Sequence, residues 1–195
     1  MTRRAERSSR SSGKSSINSH TVNLTCHPAT PSRAVESLVA NVSPAPHGAL
    51  SVTYVLSGAM QRVRVPQLRA SAFADALWQH TCFELFYRRQ APEPYCELNF
   101  SPSGEWAAYA FMRYREGMRK RDDVQALRIA VRRRERALEL EAAIAAPDLE
   151  PAGPLSVAVS AVVEETDGTM SYWALKHTGA KPDFHHRGGF ALHLA

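Results

Sequence analysis

What most constrains the fold of this chain is residues 78–111, WQHTCFELFYRRQAPEPYCELNFSPSGEWAAYAF. Three segments in it alternate with the period of two that belongs to a pleated strand. In residues 82–87, Phe83, Leu85 and Tyr87 share one face, and Cys82, Glu84 and Phe86 the other. In residues 95–100, Cys96, Leu98 and Phe100 oppose Tyr95, Glu97 and Asn99; in residues 106–111, Ala107, Tyr109 and Phe111 oppose Trp106, Ala108 and Ala110. A Pro-rich break at 90–94 and the turn Ser101-Pro102-Ser103-Gly104 separate them. Proline presets its own φ and glycine tolerates positive φ, so both are turn chemistry. Three alternating runs joined by two turns predict an antiparallel meander.

The rest of the chain reads the same way. Further strands are expected at 21–26, 35–42, 50–56, 60–65, 127–131, 155–163, 171–176 and 190–194, with a turn at 44–48 and breaks at Pro151, Gly153 and Pro154. Residues 137–144 (ALELEAAI) read as a strand or equally as one short helix, because Ala, Leu and Glu favour that state. One helical turn is expected at 70–76, within a connection. Asp167-Gly168 is a hairpin signal, so 171–176 should pair back on 155–163. Ten or so short strands (about ten or eleven) without a long helix predict an all-β sandwich or barrel.

The net charge of +5 is unevenly spread. Residues 1–20 carry five basic groups against Glu6, and residues 113–136 carry ten against four acidic ones, so the remainder is net acidic. The first stretch, rich in Ser and Arg, has too little apolar surface to offset the entropy of ordering and is expected to be a disordered basic tail. Residues 21–195 are expected to form one domain. A nucleic-acid-binding body would carry its basic excess on the folded surface among aromatics, which this distribution argues against. No apolar run approaches the ~20 residues of a membrane helix, and no signal-like apolar stretch is seen. Three cysteines do not read as a disulfide framework; a reducing, cytoplasmic setting is expected.

The polar residues of the meander are the candidates for function. A carboxylate in mid-sheet costs several kcal/mol if buried unpaired, so Glu84 and Glu97, with Asn99, must face solvent, a partner charge or a ligand. Trp78 and Trp173 stand at or near strand ends, where an indole can stack on a sugar ring while carboxylates and amides bond its hydroxyls. Two carboxylates can also work as an acid/base pair, but only at opposed positions about a bound bond. His80, Cys82 and Cys96, with His177, His185 and His186, are of zinc-ligating type, yet their spacing fits no zinc pattern and core thiols explain the cysteines. Trp106 reads as core. No catalytic and no metal-ligating residues are assigned.

The motif His80-Thr81-Cys82-Phe83-Glu84, then Tyr95 to Trp106 (YCELNFSPSGEW), then Lys181-Pro182-Asp183-Phe184-His185-His186, resembles the bacterial DOMON-like proteins. These are similar to DOMON domains and to family 9 carbohydrate-binding modules. The resemblance covers residues 21–195 and implies a jelly-roll-like antiparallel β-sandwich. In the sugar-binding modules a Trp, a Glu six residues on and a late second Trp form the sugar site, and Trp78, Glu84 and Trp173 stand at matching places. Haem-binding relatives hold iron through Met paired with His or Lys; Met60, Met112, Met118 and Met170 fall at no matching position. Secreted members carry signal peptides, which this chain does not show. The expectation is a non-catalytic module that binds a saccharide or sugar-like small molecule through Trp78, Glu84, Glu97, Asn99 and Trp173. The alternatives are a haem-binding redox module and a protein-interaction domain that docks through its sheet face or the basic segment 113–136.

Overall fold

The computed structural model describes residues 19–45, 48–89, 93–150 and 153–194. The expected tail at 1–20 lies outside them except for its last two residues, as do parts of the breaks at 44–48, 90–94 and 151–154.

Twelve strands are formed among the described residues: β1 (His20–Cys26), β2 (Val35–Ala45), β3 (Ala49–Gly58), β4 (Cys82–Arg88), β5 (Tyr95–Phe100), β6 (Trp106–Phe111), β7 (Arg119–Lys120), β8 (Gln125–Arg133), β9 (Ala137–Ala145), β10 (Leu155–Glu164), β11 (Met170–Ala174) and β12 (Leu192–Leu194). They make one antiparallel sheet in the order β7-β6-β5-β4-β10-β11-β1-β2-β3-β9-β8, with β12 also on β10. The sheet curls into an all-β sandwich. β1 is the corner, since it pairs with β2 through residues 20–24 and with β11 through Thr25 and Cys26.

The meander β4-β5-β6 and the β10-β11 hairpin form as the alternation and the Asp167-Gly168 turn imply. Residues 137–144 are strand. Leu138, Leu140, Ala142 and Ile144 alternate inward, and such burial overrides weak helix propensity. Two local expectations fail. Residues 60–65 form a 3₁₀ turn, Met60–Arg62, because the amides of Arg62 and Val63 bond back to Ala59 and Met60. The helical turn at 70–76 is absent; a 3₁₀ turn forms at Leu77–Gln79, after Ala76 in the left-handed region. Among the described residues no helix is long and apolar enough to cross a membrane.

The two halves of the sandwich differ in a way that positions the site. In β3 and β9 buried and half-exposed residues alternate, one face on the core and one toward water. In β4 and β5 nearly every residue is buried, on both faces. Phe83, Leu85, Leu98 and Phe100 join the main core, whereas Phe86, Tyr95, Tyr109 and Phe111 form a second apolar cluster on the other side. Three connections cover that outer face: Phe73 lies edge-on to Trp106 and Tyr109, Tyr114 donates to Asp183, and His185 lies edge-on to Phe86, Tyr95 and Phe111.

Arg121 fastens the far edge of this half to the opposite one. It is 5% exposed and donates to Asp123, to both carboxylate oxygens of Asp148 at 3.0 and 3.1 Å, and to Cys96 Sγ. Asp148 belongs to the 3₁₀ turn Pro147–Leu149 that follows β9, and Tyr87 donates to it as well. Breaking a fully buried pair costs about 3–5 kcal/mol, but both carboxylates here are partly exposed and can rehydrate. Arg121→Met should therefore cost about 2 kcal/mol and lower Tm by about 4–8 °C. An unchanged melting curve would show that the network holds nothing together.

Candidate functional site

The register of the outer sheet face dictates the site. Glu84 of β4 stands opposite Asn99 on β5 and Ser160 on β10, and Glu97 of β5 stands opposite Phe86 and Tyr109. Strand alternation puts all of these side chains on the covered side. The two glutamates are diagonal neighbours across one strand pair, a spacing of roughly 7–8 Å between backbones that long side chains span. They form the floor of a hollow of about 500 Å³, walled by Trp78, Phe111, Arg115, Met118, Tyr172 and Phe184, with Pro182, Val162 and His185 completing it.

Both carboxylates are nearly enclosed, Glu84 at 3% and Glu97 at 5% exposure. Asn99 Nδ2 donates to Glu97 Oε1 at 2.7 Å; the Asn99 Oδ1 atom is buried and has no hydrogen-bond partner among the described residues. Burial, then the charge of Glu97, pushes the Glu84 carboxyl well above the usual range, against an opposing pull from Arg115. Burial likewise pushes Glu97 up to about 7, although Asn99 and Arg115 favour its charged form. Burial and the neighbouring Arg115 bring His185 down to about 4, so its ring is neutral at physiological pH. Its Nδ1 is 2.9 Å from Tyr95 Oη, and its Nε2 lies 3.7 Å from Glu97 Oε2, beyond hydrogen-bonding distance. Among the described residues no ion-pair partner reaches Glu84. Arg115, the cation of the wall, is held at 3.0 Å by Asp183.

Of the five residues expected to bind ligand, Trp78, Glu84 and Glu97 line this hollow, with Trp78 at its rim and 38% exposed. Asn99 lies beneath it, fully buried against Glu97. Trp173 is not brought to it. In the β10-β11 register Trp173 stands opposite Ala161, on the core side, where its ring is 6% exposed and its indole N–H donates to Ser171 Oγ. The outward aromatic of that strand is Tyr172, opposite Val162. Following the pairing from the Asp167-Gly168 turn identifies Tyr172, because its neighbour in register shares the parity of Ser160 and Glu84. Arg115, Met118 and Phe184 carry no such signal; they come from irregular segments that reach the sheet only through tertiary folding.

Among the described residues no group of three His, Cys, Asp or Glu could hold a metal ion. Cys82 and Cys96 are buried thiols, on opposite faces of the sheet. Met118 and His185 both line the hollow, yet its residues do not fit a haem. Both nitrogens of His185 face protein groups, its ring is held among three aromatic rings, and the floor is acidic where a porphyrin would need apolar contact.

No family model matches the chain, and no curated protein matches it in sequence. Among solved structures it is similar to a protein from Bacteroides uniformis described as a "putative carbohydrate-binding protein", with a TM-score of 0.65 over 89% of this chain and 84% of that one. At 13% identity the likeness establishes a shared fold.

Proposed function

We propose that this protein is a non-catalytic binding module that takes a saccharide or sugar-like small molecule in the hollow over Glu84 and Glu97. The observation that carries the reading is the exposed indole of Trp78 at the rim of a concave site floored by two nearly enclosed carboxylates. A hollow of this volume lies within the roughly 300–1,000 Å³ of small-molecule sites, and its lining follows their pattern of aromatic walls with a few convergent polar groups. Support also comes from the fold, since a protein of the same architecture is described as a "putative carbohydrate-binding protein". On this reading the chain is a DOMON-like relative of the family 9 modules that keeps the first Trp and the Glu of the sugar site and replaces the second Trp by Tyr172. Its three cysteines are then the thiols of a reducing, cytoplasmic setting.

Trp78→Ala is the test. Trp78 sits in a short 3₁₀ turn and touches Tyr109 edge-on, so its loss should leave the thermal unfolding curve nearly unmoved. Affinity for a bound mono- or disaccharide in calorimetric titration should fall about thirtyfold, equivalent to about 2 kcal/mol. Equal affinities for the variant and the parent would reject the hollow as the sugar site.

A further inference from the structure

We propose that the ligand of this hollow is a cation: a small ring of roughly monosaccharide size that carries a protonated amine, seated with its ammonium on Glu84 and Glu97. The inference rests on the binding reading above and adds the ligand's charge.

Three observations converge on it. The first is an imbalance of acceptors. The floor presents two carboxylates; beneath it lies the buried, unpartnered Oδ1 of Asn99, whose Nδ2 is already given to Glu97, and against these acceptors stands the single hydroxyl of Ser160, opposite Glu84. An ammonium brings three N–H donors to such a floor, whereas a hydroxyl brings one. The second is the balance of charge. Among the described residues of the site, Glu84, Glu97 and Asp183 stand against Arg115, with His185 neutral, so once ionised the site carries an excess of negative charge. The third is the wall. Trp78, Phe111, Tyr172 and Phe184 line it with aromatic rings, and the quadrupole of a ring attracts a desolvated cation at its face. A neutral sugar would use the rings but give the carboxyls no reason to ionise.

The upward displacement of both carboxyls by burial fits the same picture, because an arriving cation favours their ionised forms and expels their protons. Binding should therefore release protons, and affinity should climb as pH rises through the region near 7 where Glu97 titrates.

Calorimetric titration of the full chain with trans-4-aminocyclohexanol, trans-1,4-cyclohexanediol and glucose tests the inference, the first two being matched in size and differing in charge. The amine should bind at least about tenfold more tightly than the diol near pH 8, with an advantage that shrinks near pH 6. Repeating the titration in buffers of different ionisation heat should reveal proton release. Glu97→Gln and Trp78→Ala should each weaken the amine. Diol or glucose binding as tightly as the amine, in a manner lost in Trp78→Ala, would overturn the cation and keep the hollow as a sugar site. Amine binding indifferent to both substitutions would place it elsewhere and overturn the inference. Silence from all three probes would overturn it together with the reading beneath it.

Discussion

Replacing Glu97 with glutamine should make the folded protein more stable near pH 8, by about 2–3 kcal/mol, and should flatten its dependence on pH. The sign follows from proton counting. The Glu97 carboxyl titrates near 7 in the folded chain and near 4.5 in the unfolded one. Between those values the folded state holds a proton that the unfolded state has lost, so stability falls as pH rises through the interval. Below about 4.5 both states are protonated and the penalty is absent. Glu84, displaced in the same direction by burial, adds a decline of the same sign. Glutamine removes the titration and keeps an oxygen to accept from Asn99 Nδ2, so the gain is the desolvation that an ionised carboxylate suffers. Urea unfolding at several pH values between about 5 and 8 measures it. A variant less stable than the parent near pH 8 would mean that Glu97 is compensated by a partner, and that the hollow stores no cost.

Phe83→Ala should have the largest effect on stability, about 4 kcal/mol, with a fall in Tm of about 8–16 °C. Phe83 is fully buried on the inner face of β4 and stacks on Tyr54 of β3, with centroids 4.8 Å apart at 28°. The pair joins the two halves of the sandwich. Truncation leaves a cavity that neighbours on the two hydrogen-bonded halves of the sheet close poorly, and it removes the ring contact as well. Phe83→Leu, which keeps most of the volume, should cost under about 1.5 kcal/mol. Equal losses for the two variants would show that the ring contact carries the stability and the packing volume does not.

Much of this architecture is legible in the chain because its strands are short, alternating and bounded by turn residues. Residues 82–87, 95–100 and 106–111 declare both their period and their joints, and residues 155–163 with Asp167-Gly168 declare a hairpin. Parity within a strand is equally readable, which is how Glu84, Glu97 and Asn99 could be grouped. What alternation cannot say is which face meets the core when both faces are apolar enough. Trp173 is expected at the site from its place near a strand end and from the resemblance, and an indole reads the same on either side of β11; only its pairing with Ala161 puts it on the core side. The cover over the outer face was illegible for a different reason. Phe73, Tyr114, Arg115 and His185 lie in connections of no fixed period, and what places them is contact with residues as many as 90 or more positions away. The sequence leaves open whether Glu84 faces solvent, a partner charge or a ligand; its burial under this cover is a tertiary fact.

One peptide unit belongs to both sides of the molecule. The Tyr54 hydroxyl reaches through the interior and donates to the main-chain carbonyl of Glu84 at 2.7 Å, while the same residue's side chain points into the hollow. The base of the cavity is thus anchored to the rear wall and has little room to yield. Whatever accommodation an incoming guest requires must come from the lip, where Trp78 rides on a single turn and Met118 and Phe184 on irregular backbone. Discrimination and adaptability are in this way assigned to different parts of the same small basin.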